Sequence, residues 1–459
     1  MTFSTSIFLI GLLPWFVIIY RRCCNKEVYG RITLIIIANS IFYVWSGWGG
    51  FLFLCTYSVV IWALENMLSK FRKNWLCGAS IFIAVSPLLY VKYTVFLMEN
   101  INKALQLNIE KPSLIVPLGI SFISFEAVSL LVDVYKEKTT KGNLLYTFSY
   151  LSFFPTVTSG PIIRYNEFRE GLNQPNTCKT KNFKAVERII IGFSKKVLIA
   201  DKVAPLADYY FDGVALGNNY SVSGFWMGSI AYSLQLYFDF SGYSDIAIGI
   251  GELMGFEIRE NFNKPYQSST VSEFWKKWHM TLTNWIRDYI YIPLGGNKCR
   301  VYKHLLNMFI VWMVTGIWHG ADWTFIAWGL GYFLLLVFEK YTPIVSKINS
   351  TAFGHVYTLF CVNMLWVLFR ADNMKTASKF FAGMFGVGGA GTIEAKALQH
   401  LPHMAIAIAM CLPWNKWLVK FKEIRFFHFI RKGIFVLLAI LILGAIINST
   451  YAPYIYGNF

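Results

Sequence analysis

This sequence is short of charge, shorter still of acid, and lacks the small motifs that commit a chain to soluble chemistry. Asp, Glu, Lys and Arg supply 15% of its 459 residues, where a soluble domain carries about 25%. That shortage excludes a string of soluble domains, which length alone would allow. The eight cysteines form no C-x-x-C pair and none stands at metal spacing from a histidine. Neither a disulfide framework nor a metal site is expected. G-x-S-x-G is absent, and no Ser–His–Asp or Cys–His arrangement can be read from spacing. The glycines of G-I-G-E-L-M-G at 249–255 are wrongly spaced for a dinucleotide fingerprint and suit close helix packing. No inverted repeat is visible, which weighs against a transporter using histidines as a proton relay. No positive charge precedes the first apolar run, so residues 3–20 read as a retained span and not a cleavable signal peptide.

Apolar residues are abundant instead: 56% are hydrophobic and 18% aromatic. Runs near the length of a bilayer span recur from end to end. The predicted fold class is an all-α polytopic membrane protein, one integral membrane domain over residues 1–459. Forty-two Lys and Arg against 25 Asp and Glu give a net charge of +17. The cations cluster between spans, as in cytoplasmic loops, so no nucleic acid partner is expected.

Taking Arg21, Arg22, Lys26 and Arg31 as cytoplasmic, spans fall at 3–20, 32–47, 51–68 and 75–91, with Pro87 a kink. A polar connection follows at 92–112. The next span, 117–138, carries Glu126, which either bonds a neighbouring helix or lines a polar path. Residues 144–163 are apolar but interrupted by Pro155, Gly160 and Pro161, with basic flanks. They read as re-entrant, because broken backbone at membrane depth survives only inside protein or beside water. The basic stretch 164–204 is either a surface on anionic lipid or a landing surface for an anionic donor. Further crossings at 221–240, 243–256, 305–321, 322–338, 352–369, 402–415 and 433–450 bring the total to about twelve, with both termini outside.

Residues 231–328 hold the chemistry-bearing candidates. His279 and His319 each follow a tryptophan. Asp239, Ser241, Asp245 and Asn284 are polar groups that lipid penalises, and such groups are functional candidates. Residues 271–292 place Phe274, Trp278, Trp285, Tyr289 and Ile292 at helical spacing between charged positions, the pattern of an interfacial amphipathic helix. On this topology His279 lies at the cytoplasmic face, as an aromatic-belt partner of Trp275 or Trp278 or as a site residue. His319 lies toward the outer half of its span, as a packing residue or as a base. Gly316 and Gly320 suggest open space around it, with Trp318 and Trp323 as a dry wall. His304 looks interfacial, and the remaining histidines look structural.

Several motifs carry a resemblance. They are D-F-S-G-Y-S-D at 239–245, the run E-F-W-K-K-W-H-M-T-L-T-N-W-I-R-D-Y-I-Y-I-P-L-G-G-N from Glu273, and W-H-G-A-D-W-T-F at 318–325. P-L-G-I-S-F at 117–122, L-V-D-V-Y at 131–135, G-P-I-I-R-Y at 160–165 and L-F-R-A-D at 368–372 accompany them. Together they resemble the membrane-bound O-acyltransferase (MBOAT) family, in its bacterial branch of polysaccharide O-acetylation, over roughly residues 1–450. The long middle motif is the specific one.

The resemblance implies a ring of about 11–12 tilted transmembrane helices around a central tunnel, with re-entrant and amphipathic helices and a catalytic core at about 117–372. It implies that His319 and His279 are the catalytic pair, His319 as base and His279 orienting or polarising a thioester. Asp239, Ser241, Asp245, Asn284, Trp318, Asp322 and Arg164 are then candidates for lining the substrate path. Asp322 stands where a small polar residue is expected, a departure that would bear on His319. No tightly bound cofactor is implied, and acetyl-CoA is the expected donor substrate. The expected partners are the lipid bilayer and an extracytoplasmic SGNH-type acetyltransferase or polysaccharide export complex, at a bacterial inner (cytoplasmic) membrane. D-alanyl transfer to teichoic acid is the alternative within the family.

Overall fold

A computed structural model describes the chain except residues 1–6, 24–26, 115, 176–178, 344–346, 348, 350, 388–393, 415–424 and 449–459. The described chain is predominantly helical, with no β-strand among the described residues. Six described helices are long and apolar enough to cross a bilayer: Val28–Ser46, Trp48–Phe71, Asn74–Leu105, Trp323–Tyr341, Ala352–Arg370 and Ile430–Ile447. The protein is therefore an all-α polytopic membrane protein, as its composition predicted. The other expected crossings fall on shorter or more polar helices, Ile120–Tyr135 among them. The Asn74–Leu105 helix continues through Pro87 and takes up most of the expected polar connection at 92–112.

The chain gathers into two compact units interleaved in sequence. One contains Met1–Ile189 and Ser244–Glu260, the other Ile190–Tyr243 and Asn261–Ile455.

In the first unit, Ile120–Tyr135 is buried on every side from Ile120 to Val134, the signature of a core helix. Glu126 lies within it, 3% exposed, and no group hydrogen-bonds its Oε2 among the described residues. The expectation of a bond to a neighbouring helix is not met at that atom. Residues 144–163 form one short helix, Leu144–Leu151, and then irregular backbone that is almost wholly buried. Burial demands partners for that backbone. Asn39, itself 0% exposed, supplies one: its Oδ1 accepts from the Phe154 N–H at 3.1 Å while its Nδ2 donates to Ser152 Oγ at 2.7 Å. The Tyr150 hydroxyl donates to the Ile163 carbonyl at 2.9 Å.

Two expectations are corrected. Residues 221–240 and 243–256 are not an outward and a returning piece. They form one helix, Val222–Met254, of 33 residues. Gly242, placed where a turn was read, packs instead of bending: a Cβ there would stand 2.7 Å from the Gly192 carbonyl oxygen. The two expected pieces are thus one continuous helix, which is not among the six long and apolar candidates, and the sidedness assigned to everything after it loses its basis. Nor is 271–292 one amphipathic helix. It is Val271–Lys277, then Met280–Ile286, then a π-helical turn at Arg287–Tyr291. Its aromatic residues Phe274, Trp275, Trp278 and Trp285 are buried, so they pack the interior of the second unit and do not float at an interface.

Candidate active site

The break between the two short helices falls at Trp278–His279, and its cause is not local. The extended segment 261–263 takes two backbone hydrogen bonds across the gap. Asn263 N donates to Lys277 O and Met280 N to Asn261 O, each at 2.9 Å. The helix must open to make them, and His279 is left in the left-handed region at φ 43°, ψ 52°. Of the five non-glycine residues with positive φ among the described residues, His279 alone is buried, at 1% exposure. A buried residue held in a conformation that costs about 1–3 kcal/mol is a functional candidate.

Asn261 also fixes the proton on His279. Its Oδ1 accepts from Thr281 N at 3.2 Å and from Thr281 Oγ1 at 2.8 Å. A backbone N–H only donates, so the amide atom facing it is the oxygen. That same oxygen lies 3.1 Å from His279 Nδ1, which must then carry the proton. Nε2 keeps its lone pair. Burial pushes the His279 pKa down to about 3, so the ring is neutral at physiological pH. A neutral Nε2 accepts hydrogen bonds and takes protons, and it cannot donate one to polarise a carbonyl.

His319 closes the Val301–His319 helix and is 4% exposed. Its ring is walled by Trp318 at 4.6 Å, Trp328 at 4.9 Å and Phe369 at 5.0 Å between centroids. Trp318 also faces His279, at 6.5 Å. A single indole thus separates the two imidazoles. The two rings are thus much closer to one another than the roughly 30 Å of a full hydrocarbon core.

The glycines near His319 do not leave room for a substrate. A Cβ on Gly316 would stand 2.5 Å from the Phe325 carbonyl oxygen and 3.4 Å from Gly329 Cα, and one on Gly320 would enter the Phe325 ring. They let Val301–His319 and Trp323–Tyr341 approach at backbone distance, the usual use of small residues between membrane helices. Trp323 is 55% exposed, so Trp328 and Phe369 form the wall expected of it.

The remaining candidates divide. Trp318 belongs to the site. Phe240 packs T-shaped on His279 at 4.7 Å, and its neighbour Asp239, 2% exposed, is ion-paired with Lys196 Nζ at 2.8 Å. Ser241 is 1% exposed. Asp322 caps the Trp323–Tyr341 helix, accepting from Thr324 N at 2.9 Å. Asn284 is half-buried in the second short helix. Asp245 and Arg164 lie in the first unit. Asp245 pairs with Arg188 at 3.1 Å, and the Arg164 backbone N–H donates to Glu167 at 3.3 Å. His304 is buried and bonded between Tyr291 and Tyr341, at 2.9 and 2.6 Å. Asn261, Phe240 and Phe369 were not among the sequence candidates. A cleft of 660 Å³ lined by Trp226, Tyr266, His355, Phe360, Asn363 and Cys411 does not include either catalytic candidate.

Two buried imidazoles that share one aromatic wall inside a polytopic helical protein are candidates for acid–base group transfer. The family model of MBOAT, the membrane-bound O-acyltransferase family, matches residues 17–376. The chain belongs to that family, and it is an O-acyltransferase. It is 35% identical over 404 residues to a Pseudomonas aeruginosa protein described as a "probable alginate O-acetylase AlgI", covering 84% of this chain and 75% of the relative. It is 31% identical over 431 residues to a peptidoglycan O-acetyltransferase of Helicobacter pylori, covering 84% and 80%. A teichoic acid D-alanyltransferase of Bacillus subtilis is 31% identical over 286 residues, covering 58% and 69%.

Proposed function

We propose that this chain takes an acetyl group from a cytoplasmic thioester donor, acetyl-CoA, and passes it across a bacterial cytoplasmic membrane for O-acetylation of an exported cell-surface polysaccharide. The observation that carries this reading is one of extent. The acetylating relatives align with 84% of the chain at 31–35% identity, and the D-alanylating ones with 58% and 72% at 31% and 29%. The receiving hydroxyl belongs to an extracytoplasmic SGNH-type transferase of the export machinery, which completes the transfer to the glycan.

An acyl thioester is already activated, so the protein has to position it and manage one proton. His319 takes the proton from the attacking hydroxyl. The new carbonyl–oxygen bond forms, the carbonyl–sulfur bond breaks, and the leaving thiolate receives that proton. His279 accepts a hydrogen bond at Nε2 from bound substrate and orients it. Trp318, Trp328 and Phe369 keep water from the thioester, suppressing hydrolysis. Because Trp318 faces both imidazoles, donor and acceptor are held against the same aromatic wall.

The test uses inside-out membrane vesicles supplied with isotope-labelled acetyl-CoA, with mass spectrometry of surface glycans from cells with and without the protein. Protein-dependent labelled acetyl esters are expected. Unlabelled glycans would refute the donor, and D-alanyl esters on teichoic acid would replace the reading with the family's other branch.

A further inference from the structure

Each imidazole is met T-shaped by one phenylalanine, and each phenylalanine adjoins a charged residue held in an ion cluster. Phe240 stands 4.7 Å from His279 at 84° and follows Asp239. Phe369 stands 5.0 Å from His319 at 76° and precedes Arg370. The acids that receive both clusters come from one helix, Asp201–Ala215. Asp208 and Asp212 follow Asp201 at spacings that place all three on one helix face.

Asp201 holds Lys196 Nζ at 2.7 Å, and Lys196, 1% exposed, holds Asp239 at 2.8 Å. Lys196 reaches Asp201 from a π-helical turn, Ser194–Ala200, whose wider register aligns residues five apart. At the other end, Asp208 and Asp212 hold Arg370 Nη2 at 3.0 and 2.8 Å. Arg370 also lies 5.4 Å over the ring of Phe211, on the same helix. Buried Tyr232 of Val222–Met254 stands 5.8 Å from Phe211 and is within electrostatic reach of Arg370, Asp208 and Asp239.

We propose that Lys196, Asp239 and Arg370 are positioning residues: clamped to the acids of Asp201–Ala215, they hold Phe240 and Phe369, which set the ring planes of His279 and His319. The inference rests on the reading of the two histidines as the catalytic pair. Buried ion pairs give little net stability, because desolvation offsets attraction. Their contribution here is geometric, since a misplacement of about 1 Å at a reacting centre can cost about 100-fold in rate.

The test uses the full chain reconstituted in vesicles, with kcat, the KM for acetyl-CoA and thermal unfolding measured together. Lys196→Gln alone strands two buried acids and risks misfolding. Phe240→Leu and the neutral pair Lys196→Gln/Asp239→Asn carry the test, with Lys196→Arg as the conservative rescue. Both should lower kcat roughly 10- to 100-fold with KM within about twofold, and Lys196→Arg should restore most of it. The triple variant should be no worse than the weaker of the two, because both act through His279. Wild-type kcat, losses that multiply in the triple variant, or a loss of activity that tracks loss of folded protein would each overturn the proposal. His279→Gln and His319→Gln run in parallel: activity in these variants defeats the catalytic reading, whereas dead histidine variants beside fully active clamp variants defeat the clamp alone.

Discussion

Asn261 should be as important to transfer as the histidine it touches. Its Oδ1 receives three donors, His279 Nδ1–H, Thr281 N–H and Thr281 Oγ–H, all inside 3.2 Å. In Asn261→Leu the shape is nearly kept and the acceptor is lost. The Thr281 N–H cannot turn away, and a stranded buried donor costs about 1–3 kcal/mol. The hydroxyl can rotate and the imidazole can change tautomer, adding about 1 kcal/mol between them. A destabilisation of about 2–4 kcal/mol follows, while the backbone bonds that hold His279 in the left-handed region remain. Once the Nδ1–H has no acceptor, Nε2 can be protonated instead, and the lone pair offered to substrate disappears. The expected loss in kcat is about 10²–10⁴-fold, the worth of a correctly placed acid–base group. Asn261→Asp separates tautomer from stability. Its carboxylate can accept the same three bonds, so unfolding temperature should stay closer to wild type. A neighbouring anion favours the imidazolium and raises the histidine's pKa from about 3. Activity in this variant should therefore fall as pH drops through the raised pKa, where the wild type shows no such loss from His279. Transfer assays in vesicles across pH 5–8, paired with thermal unfolding in detergent, read both effects. Asn261→Leu at wild-type kcat would refute the tautomer argument.

Three further outcomes are expected. His319→Gln keeps polarity and most of the volume, so it should insert and unfold normally while transfer falls by about 10²–10⁴; a tenth of wild-type acetylation remaining would count against His319 as the base. Gly316→Val drives side-chain carbon into the Phe325 carbonyl and should lower stability by about 1–3 kcal/mol, seen as a depressed melting temperature; an unchanged one would restore the reading of open space. A cysteine at Trp48, which is 66% exposed, should react with an impermeant thiol reagent from outside intact cells, and one at Lys184 only after permeabilisation; the reverse pattern would invert the orientation of the first unit.

The early spans were legible because their signal is local. An apolar run of bilayer length bounded by Arg and Lys needs no partner to be read, and Val28–Ser46 and Trp48–Phe71 lie within a few residues of the expected bounds. The buried irregular backbone after Leu151 was legible for a similar reason: Pro155, Gly160 and Pro161 announce it. What escaped was set by distant contacts. Nothing between residues 271 and 292 disfavours a helix, and no Gly or Pro marks Trp278–His279. The break is made by Asn261 and Asn263 bonding across to Met280 and Lys277. Gly316 gave a signal that was read with the wrong sign. A glycine permits a turn, a void or a close approach, and only the atoms opposite its missing Cβ decide which. Asn261 stands in the polar run R-E-N-F-N, where no local pattern separates a catalytic orienter from a loop amide.

The basic stretch 164–204 shows the same limit in its electrostatics. From sequence it offered a cationic surface, either for lipid or for an anionic donor. In the folded chain its central cations are already engaged. Arg188 pairs with Asp245 at 3.1 Å and donates to Glu260 at 2.7 Å. Lys196 lies between Asp201 and Asp239. Arg169 donates to the Thr140 carbonyl at 3.2 Å and stacks over Tyr165 at 5.7 Å. An approaching phosphate would have to displace carboxylates from Arg188 and Lys196, and a partly buried ion pair resists that because the stranded acid is costly. Exposed Lys184 and Lys202 remain on the solvent side. Arg169, Arg188 and Lys196 are thus internal fastenings, with Arg188 and Glu260 72 positions apart in sequence. Charge counting along a chain sees the cations in a cluster and misses the acids that fold back onto them.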